Sequence, residues 1–577
     1  MMQPGPASFS SDDRDTVADS HGQLAHRKHV EHSLRLQRAF TPVGDSAWCL
    51  VGNGLSNQSF VRGPGGIIAI DTGESVEEMH SALLELRQIT AEPIVAVLYT
   101  HFHYVQGTRA IVDERKAMGI TAELPIFGHE RIADNLTRSA TAIAPTYSRG
   151  IVEQFAVALP TEGIDGVVNV GLGLAYRNAE HAPFTAGHLP VTSSFDSPTR
   201  LHIAGLDVDV VPAPSDADDS VTYWFPHLRL AAHNLVWPTL FNVFAIRGEE
   251  YRDPQVLLQG IDHLVGLQPV HLLGTHGPPL SGAEVLQRVM KYRDSIQFLW
   301  DQTVRHTNAG ASSIDLAHLV RLPDAFDDDY LTSQLYGVVE HHTRQIRSGL
   351  FGWFDGDPAN LFPLARGERA TQFIEAMGGV AAVRAACESA QQTNPRWSLE
   401  LAGLLVAHPD SNEADQRLLA EVLRVIARRT TAANIRNWCL ARAREADGQL
   451  DLSRFRQQRW SRRQVSAWGL AHTLEVLRVT LVPERAEHLD VHLRLIVGQD
   501  TAGLHIRNCV AVSTNGTAAN EVVTMDIDTW VEVLGGVLPF SHALTAGRIE
   551  VAGSGSRVAT AFGVFDHPSL ANSSRRL

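Results

Sequence analysis

The hydrophobic pattern of the chain changes character several times. Residues 1 to about 40 are polar and carry no sustained period, a loose leader that ends at most in a short helix. From Trp48 the runs WCLVGNG, SNQSFVRG and GIIAIDTG set apolar, β-branched segments between glycines and asparagines, as strands and turns do. VEEMHSALLELRQI, over about 75–90, spaces its apolar residues three and four apart and predicts a helix. IVAVLYTHFH is an apolar run that ends in histidines, a buried strand leading into a polar loop. Strand and helix signals then alternate through PIFGHERIADNL, LDVDVVPAP and VHLLGTHG.

Around 286–440 the period becomes helical, in segments such as AEVLQRVMKYRDSIQFLWDQTVRH and EADQRLLAEVLRVIARRT. From about 455 the runs LDVHLRLIVGQ, AGLHIRNCVAVST and EVVTMDIDT alternate apolar and polar residues like half-exposed antiparallel strands. The expected order is therefore α/β, then all-α, then α+β. The boundaries read as a leader over 1–40, an α/β domain over 41–290, a helical domain over 291–450 and an α+β domain over 455–577. A chain of 577 residues exceeds what one hydrophobic core supports, so several domains are expected in any case.

Composition narrows the class. With 44% hydrophobic and 20% charged residues the chain is globular. A net charge of -15 argues against non-specific nucleic-acid binding, which needs a basic surface. The four cysteines, Cys49, Cys387, Cys439 and Cys509, are far apart and form no C-x-x-C pair, which argues against a disulfide framework and a cysteine-based zinc site. No run of about 18 apolar residues predicts a membrane span. The polar N-terminus has no apolar core of a signal peptide, so the expected location is the cytoplasm.

The strongest chemical signal is Thr100-His101-Phe102-His103. Two histidines two apart, just beyond a buried strand, can turn toward one point and bind a borderline divalent cation. Asp71 ends an upstream strand in IIAIDTG and is placed to brace such a site from behind. His276 follows another apolar run in LLGTHGPP. Strand–Asp, strand–HxH and a late strand–His form the pattern of the metallo-β-lactamase superfamily.

Longer segments narrow the resemblance. LYGVVEHHTRQIRSGLFGWFDGDPANLFPL (335–364), NVFAIRGEEYRDP (242–254), LPTEGIDGVVNVGLG (159–173) and LAGLLVAHPDSNEADQRLLAEVLRVIA (401–427) are similar to the alkylsulfatase family, whose members carry a related G-W-F-D-G-x-P-x-x-L-x-P run. The similarity extends from about residue 40 to the C-terminus. It implies a metallo-β-lactamase αββα sandwich, an all-α dimerisation domain that makes a homodimer, and an α+β sterol-carrier-like domain. The implied activity is hydrolysis of sulfate esters of long alkyl alcohols at a two-zinc site.

The chain departs from the family's H-x-H-x-D-H motif: Val105 and Gln106 stand where Asp and His hold a second zinc. Two family glutamates are also replaced. One falls at Asp216 in PAPSDADDS, with Asp218 and Asp219 as rivals, and the other at His233 in LAAHN. The expected metal set is His101, His103, Asp216, His233 and His276, suited to one divalent ion rather than two. Zinc is the first expectation for that ion, with iron or manganese as the alternative. By the same resemblance Arg247 takes the sulfate-binding position and Asn242 that of its polar neighbour, while Phe244 and Ala245 replace a Tyr and a Thr. His341 is the candidate proton donor, with His342 as rival.

Three functions follow from these residues. The first is a metallohydrolase acting on a small amphiphilic, sulfate-ester-like anion. The second is a mononuclear non-haem iron or manganese redox enzyme, because two histidines and one carboxylate also form the facial triad of oxygenases. The third is a non-catalytic binder of amphiphiles.

Overall fold

The computed structural model describes residues 8–138, 142–458 and 460–570. Within it the apolar run GIIAI becomes a strand buried on both faces. In Gly66–Ile70, Ile68 and Ile70 face one apolar cluster and Ile67 and Ala69 another, as the two-residue period of a strand requires. This strand belongs to a seven-stranded sheet that runs in chain order through Ala39–Val43, Ala47–Val51, Gln58–Gly63, Gly66–Ile70, Ile94–Leu98, Ile126–His129 and Ser193–Phe195. Pairing is antiparallel up to Gly66–Ile70 and parallel beyond it.

A six-stranded sheet follows: Thr199–Ile203, Leu206–Pro212, Val221–Phe225, Leu230–His233, His271–Gly274 and Leu280–Ser281. The two sheets share one core, where Val43, Ile68 and Leu98 meet Val208, Tyr223 and Leu273. The helices Val76–Arg87 and Thr108–Ala117 cover the far face of the first sheet through Met79, Leu83 and Ile111. The helices Pro254–Gly266 and Val285–Asn308 cover the second through Leu257, Ile261 and Tyr292. The result is the expected four-layer αββα sandwich. The helix read at 75–90 begins where Ser75 accepts a hydrogen bond from the Glu78 amide at 3.1 Å, a cap that contributes about 1 kcal/mol.

Two boundaries differ from the pattern-based ones. The helix Val285–Asn308 spans residue 290, and its Val289, Tyr292 and Ile296 join the same apolar cluster as Ala420, Leu440 and Ala443 from the later helices. The α/β and helical regions thus share a core, and they form one compact unit over 1–136 and 149–452. The leader is also ordered where it is described. Thr16–Ala18 and Leu24–His26 pair as a small hairpin, and Arg27–His32 is helical. Asp13 pairs with Arg428 at 2.8 Å and with Arg429 at 2.7 Å, which clasps this segment to the helix Glu413–Arg429.

The second unit comprises 137–148 and 453–577. Its five-stranded sheet has the order Val510–Thr514, Asp500–Arg507, Val491–Val497, Glu521–Met525, Ile549–Ala552. Arg462–Arg478, Ile527–Leu534 and Gly555–Phe562 are its longer helices, and Trp530, Phe562 and Phe565 centre its core. This is the expected α+β domain. The four cysteines are free, and no helix among the described residues is long and apolar enough to cross a membrane.

Candidate metal centre

The strand Ile94–Leu98 delivers Thr100 and His101 to the sheet edge, where a 3-10 turn, Phe102–Tyr104, brings His103 back beside His101. The turn packs closely against the end of the neighbouring strand. A side chain at Gly107 would collide with the Thr72 carbonyl, so glycine closes the motif. Asp71 adopts a left-handed conformation (φ 55°), unusual for a residue other than glycine. That conformation aims its carboxylate at the turn. The Thr100 amide donates to one Asp71 oxygen at 2.8 Å and the Thr100 hydroxyl to the other at 2.7 Å. The Thr100 oxygen then accepts from Nδ1 of His101 at 2.9 Å, which leaves Nε2 as the ring's lone-pair nitrogen. Asp71 therefore braces the site, as its place in the sequence suggested, but through Thr100.

Opposite the histidines stands Asp216, in the loop between Leu206–Pro212 and Val221–Phe225. His101 Nε2 lies 3.9 Å from one carboxylate oxygen and His103 Nδ1 lies 3.4 Å from the other. One donor atom from each of the three residues falls within a 4.8 Å group. Nε2 of His101 and both ring nitrogens of His103 have no hydrogen-bond partner although they are buried. Buried nitrogens are rarely left so, and a shared cation would satisfy all of them. Burial pushes the His101 imidazole down to about 3, which keeps its lone pair free. Burial opposes charge on Asp216 too, yet the two imidazoles hold its carboxyl well below its ordinary value. Asn234 fixes the carboxylate by donating to it at 2.5 Å and is itself held by the Trp237 indole at 3.1 Å.

The structure separates the three acidic rivals. Asp218 is spent on Arg131 and Asn135, at 2.8 and 2.7 Å. Asp219 is buried with neither oxygen partnered, and burial pushes it up to about 8, so it is protonated at neutral pH. Asp216 alone joins the histidines.

The remaining expected ligands fall outside this three-residue group, although His276 lies close to it. His233 ends the strand Leu230–His233, and its Nδ1 accepts from the amides of Leu235 and Val236, at 3.1 and 3.4 Å. Its Nε2 must therefore carry the proton, which makes it a donor and not a ligand. His276 donates from Nδ1 to the Leu55 carbonyl at 2.9 Å, and its Nε2 lies 3.3 Å from the Tyr104 hydroxyl. Of the five expected ligands, His101, His103 and Asp216 group closely enough to share an ion; His233 is turned to backbone amides, and His276 keeps Nε2 as its lone-pair nitrogen but faces Tyr104 with it.

The anion-binding candidates lie in the loop before Pro254–Gly266 and at the start of the helix Val339–Phe351. Arg247 pairs with Glu249 at 2.5 Å, and its guanidinium lies 5.7 Å from the Phe155 ring centre. Asn242 is buried with both amide atoms unpartnered. Arg252, not singled out from the sequence, is 5% exposed and has no carboxylate partner among the described residues. It donates to the Asn242 carbonyl at 2.7 Å and lies 5.8 Å from the Trp237 ring centre. His341 is half-buried edge-on to Phe244 at 5.6 Å. His342 is fully buried, with both ring nitrogens unpartnered, and together with Asn242 it closes on Gly337. Arg252 carried no sequence signal beyond being an arginine, and neighbouring histidines on a helix could not be told apart.

Comparisons with known proteins identify the family and the fold. A family model described as alkyl sulfatase dimerisation matches residues 312–449, and one for the metallo-beta-lactamase superfamily matches residues 51–104. A linear primary-alkylsulfatase of Pseudomonas sp. (strain ATCC 19151) is 34% identical over 68% of this chain and 74% of its own. The alkyl/aryl-sulfatase BDS1 of Saccharomyces cerevisiae is 26% identical over 91% of this chain and 82% of its own. In fold, the structure is similar to the stereoselective inverting sec-alkylsulfatase Pisa1 from Pseudomonas sp., with a TM-score of 0.81, 22% identity, and coverage of 98% of this chain and 93% of that one. On these likenesses the chain belongs to the alkylsulfatase family, metal-dependent sulfate-ester hydrolases of the metallo-β-lactamase superfamily.

Proposed function

We propose that the protein hydrolyses the sulfate ester of an amphiphilic alcohol, with one divalent cation held by His101, His103 and Asp216. The carrying observation is the set of unpartnered ring nitrogens converging on an ionised carboxylate. A divalent cation there, zinc before iron or manganese, supplies Lewis acidity and lowers the pKa of a coordinated water. Asp71 and Thr100 fix the tautomer of His101, and Asn234 fixes the Asp216 carboxylate.

Arg247 and Arg252 meet the anionic head. A guanidinium fork suits a tetrahedral oxyanion, and Arg252 forms no ion pair among the described residues although its charge reaches Asp216. Asn242 offers an unspent amide beside it. Burial keeps the His341–His342 pair neutral, so the pair would take a proton released by the attacking water and pass it to the leaving alkoxide. His342 is favoured over His341 because it is the ring that stands with Asn242 and Gly337. The homodimer is supported by the match of 312–449 to a dimerisation family and by exposed apolar side chains in that stretch, including Trp353 and Phe362.

Two histidines with one carboxylate are also the ligand set of mononuclear oxygenases, and this keeps a redox chemistry as the second function. One experiment separates them. Protein purified without added metal is assayed for metal identity, for sulfate release from a medium-chain alkyl sulfate, and for oxygen uptake. Zinc with sulfate release is the expected outcome. Iron with oxygen uptake and no sulfate release refutes the hydrolase.

A further inference from the structure

The place beside this centre where a second ion would have to sit is filled. Tyr104 is 5% exposed and stands among three imidazoles. Its ring centre lies 5.2 Å from that of His101, 5.9 Å from His103 and 5.3 Å from His276, and it meets His101 and His276 edge-on at 83° and 88°. Its hydroxyl lies 3.3 Å from Nε2 of His276, the one nitrogen of that ring left over from the bond to Leu55. A second cation would need to reach Nε2 at about 2.0–2.1 Å and stay within about 4 Å of the first. The phenol occupies that approach.

The next residue faces elsewhere. Val105 is fully buried in the apolar cluster with Met79, Val97 and Ile111, under the helices Val76–Arg87 and Thr108–Ala117, whereas Tyr104 belongs to the larger cluster that includes Leu55 and Trp237. An aspartate at 105 would start from an apolar surrounding, where an unpaired charge costs several kcal/mol.

We infer that Tyr104 is a built-in stopper that takes the volume and the His276 contact of a second cation and commits the centre to one ion. The loss of Asp and His at 105 and 106 follows from this, since a neutral phenol needs no anionic ligand to offset it. The inference rests on His101, His103 and Asp216 as the metal-holding set. Metal count and turnover are therefore measured separately.

The test compares zinc per chain, by mass spectrometry after stripping and reloading, in full-length proteins whose folding is verified by circular dichroism. Wild type, Tyr104→Phe and the double variant Val105→Asp/Gln106→His should each hold one zinc. The triple variant Tyr104→Ala/Val105→Asp/Gln106→His should hold two. Two zinc ions in any of the first three, or one in the triple variant, overturns the inference. If the variants with Asp at 105 do not fold, Tyr104→Ala alone decides. It should show a second, weaker cobalt(II) binding step in a spectroscopic titration, and a single step overturns the proposal. No zinc in the wild type refutes the metal-holding set itself, and the stopper with it.

Discussion

Two groups of histidines with buried ring nitrogens in the first unit look alike until their surroundings are compared. His101 and His103 sit at the sheet edge, and His29 and His32 lie one turn apart on the helix Arg27–His32. Both groups are pushed toward the neutral form by burial where a shift is seen, to about 3 for His101, to about 4 for His32 and well down for His29. Both contain ring nitrogens without partners, including both of His29. The difference lies in the neighbours. His101 and His103 converge on the carboxylate of Asp216, whereas the neighbour that acts on His29 is the guanidinium of Arg436. A carboxylate beside imidazole nitrogens suits a cation, whereas a guanidinium beside them repels one. Burial and unsatisfied nitrogens therefore do not identify a metal centre until the sign of the nearest charge is known.

The comparison breaks most directly by removing that anion. Asp216→Ala should lower metal affinity by more than about 100-fold, beyond what outer partners contribute, and abolish sulfate release. His29→Ala should leave the metal count at its wild-type value. Elemental analysis of the two variants checks both, and loss of metal in His29→Ala would erase the distinction. A smaller effect is expected behind the site. Thr100→Val keeps the shape but cuts the link from Asp71 to His101, so metal affinity should fall by about 10- to 100-fold in a chelator competition.

The pH dependence of stability tests the other group. The folded-state pKa of His32 is depressed to about 4 by burial, while the unfolded chain titrates near 6.5. The unfolded state therefore takes up a proton first. The stability due to His32 is complete above about pH 6.5 and falls as pH drops toward about 4, by about 3 kcal/mol in all. His29 acts in the same direction. Urea midpoints at pH 7 and 5, each with a chelator present, should show this loss, and His32→Gln should reduce it. The smallest effect is expected at the clasp that holds this segment in place. Asp13→Ala removes partly exposed ion pairs to Arg428 and Arg429, should cost under about 1 kcal/mol, and should show as faster proteolysis before residue 40.

Much of the architecture was legible because it is local. Ile68 and Ile70 alternate with Ile67 and Ala69, and Met79, Leu83 and Leu86 repeat at helical spacing. These patterns need only neighbouring residues to be read. The HxH pair and Asp71 were legible for the same reason, since each follows a strand whose end is visible in the chain. The short helix of the leader was legible, but its clasp was not, because Arg428 and Arg429 lie more than four hundred residues away. The packing across residue 290 was not legible because a long helix carries one core over it.

By itself, then, the sequence determined the family, the order of layers and the loop in which a cation would be held, since strand and helix periods and short motifs are properties of contiguous residues. Only the tertiary structure showed which side chains come together where a cation could be held. It set Asp216 apart from Asp218, which pairs with Arg131 and Asn135, and from the buried Asp219, turned Nδ1 of His233 to backbone amides, tied His276 to Leu55 and Tyr104, and brought Arg252 alongside. A ligand is defined by where its lone pair points and by the charge it faces, and both are fixed by contacts between residues that are distant in the chain.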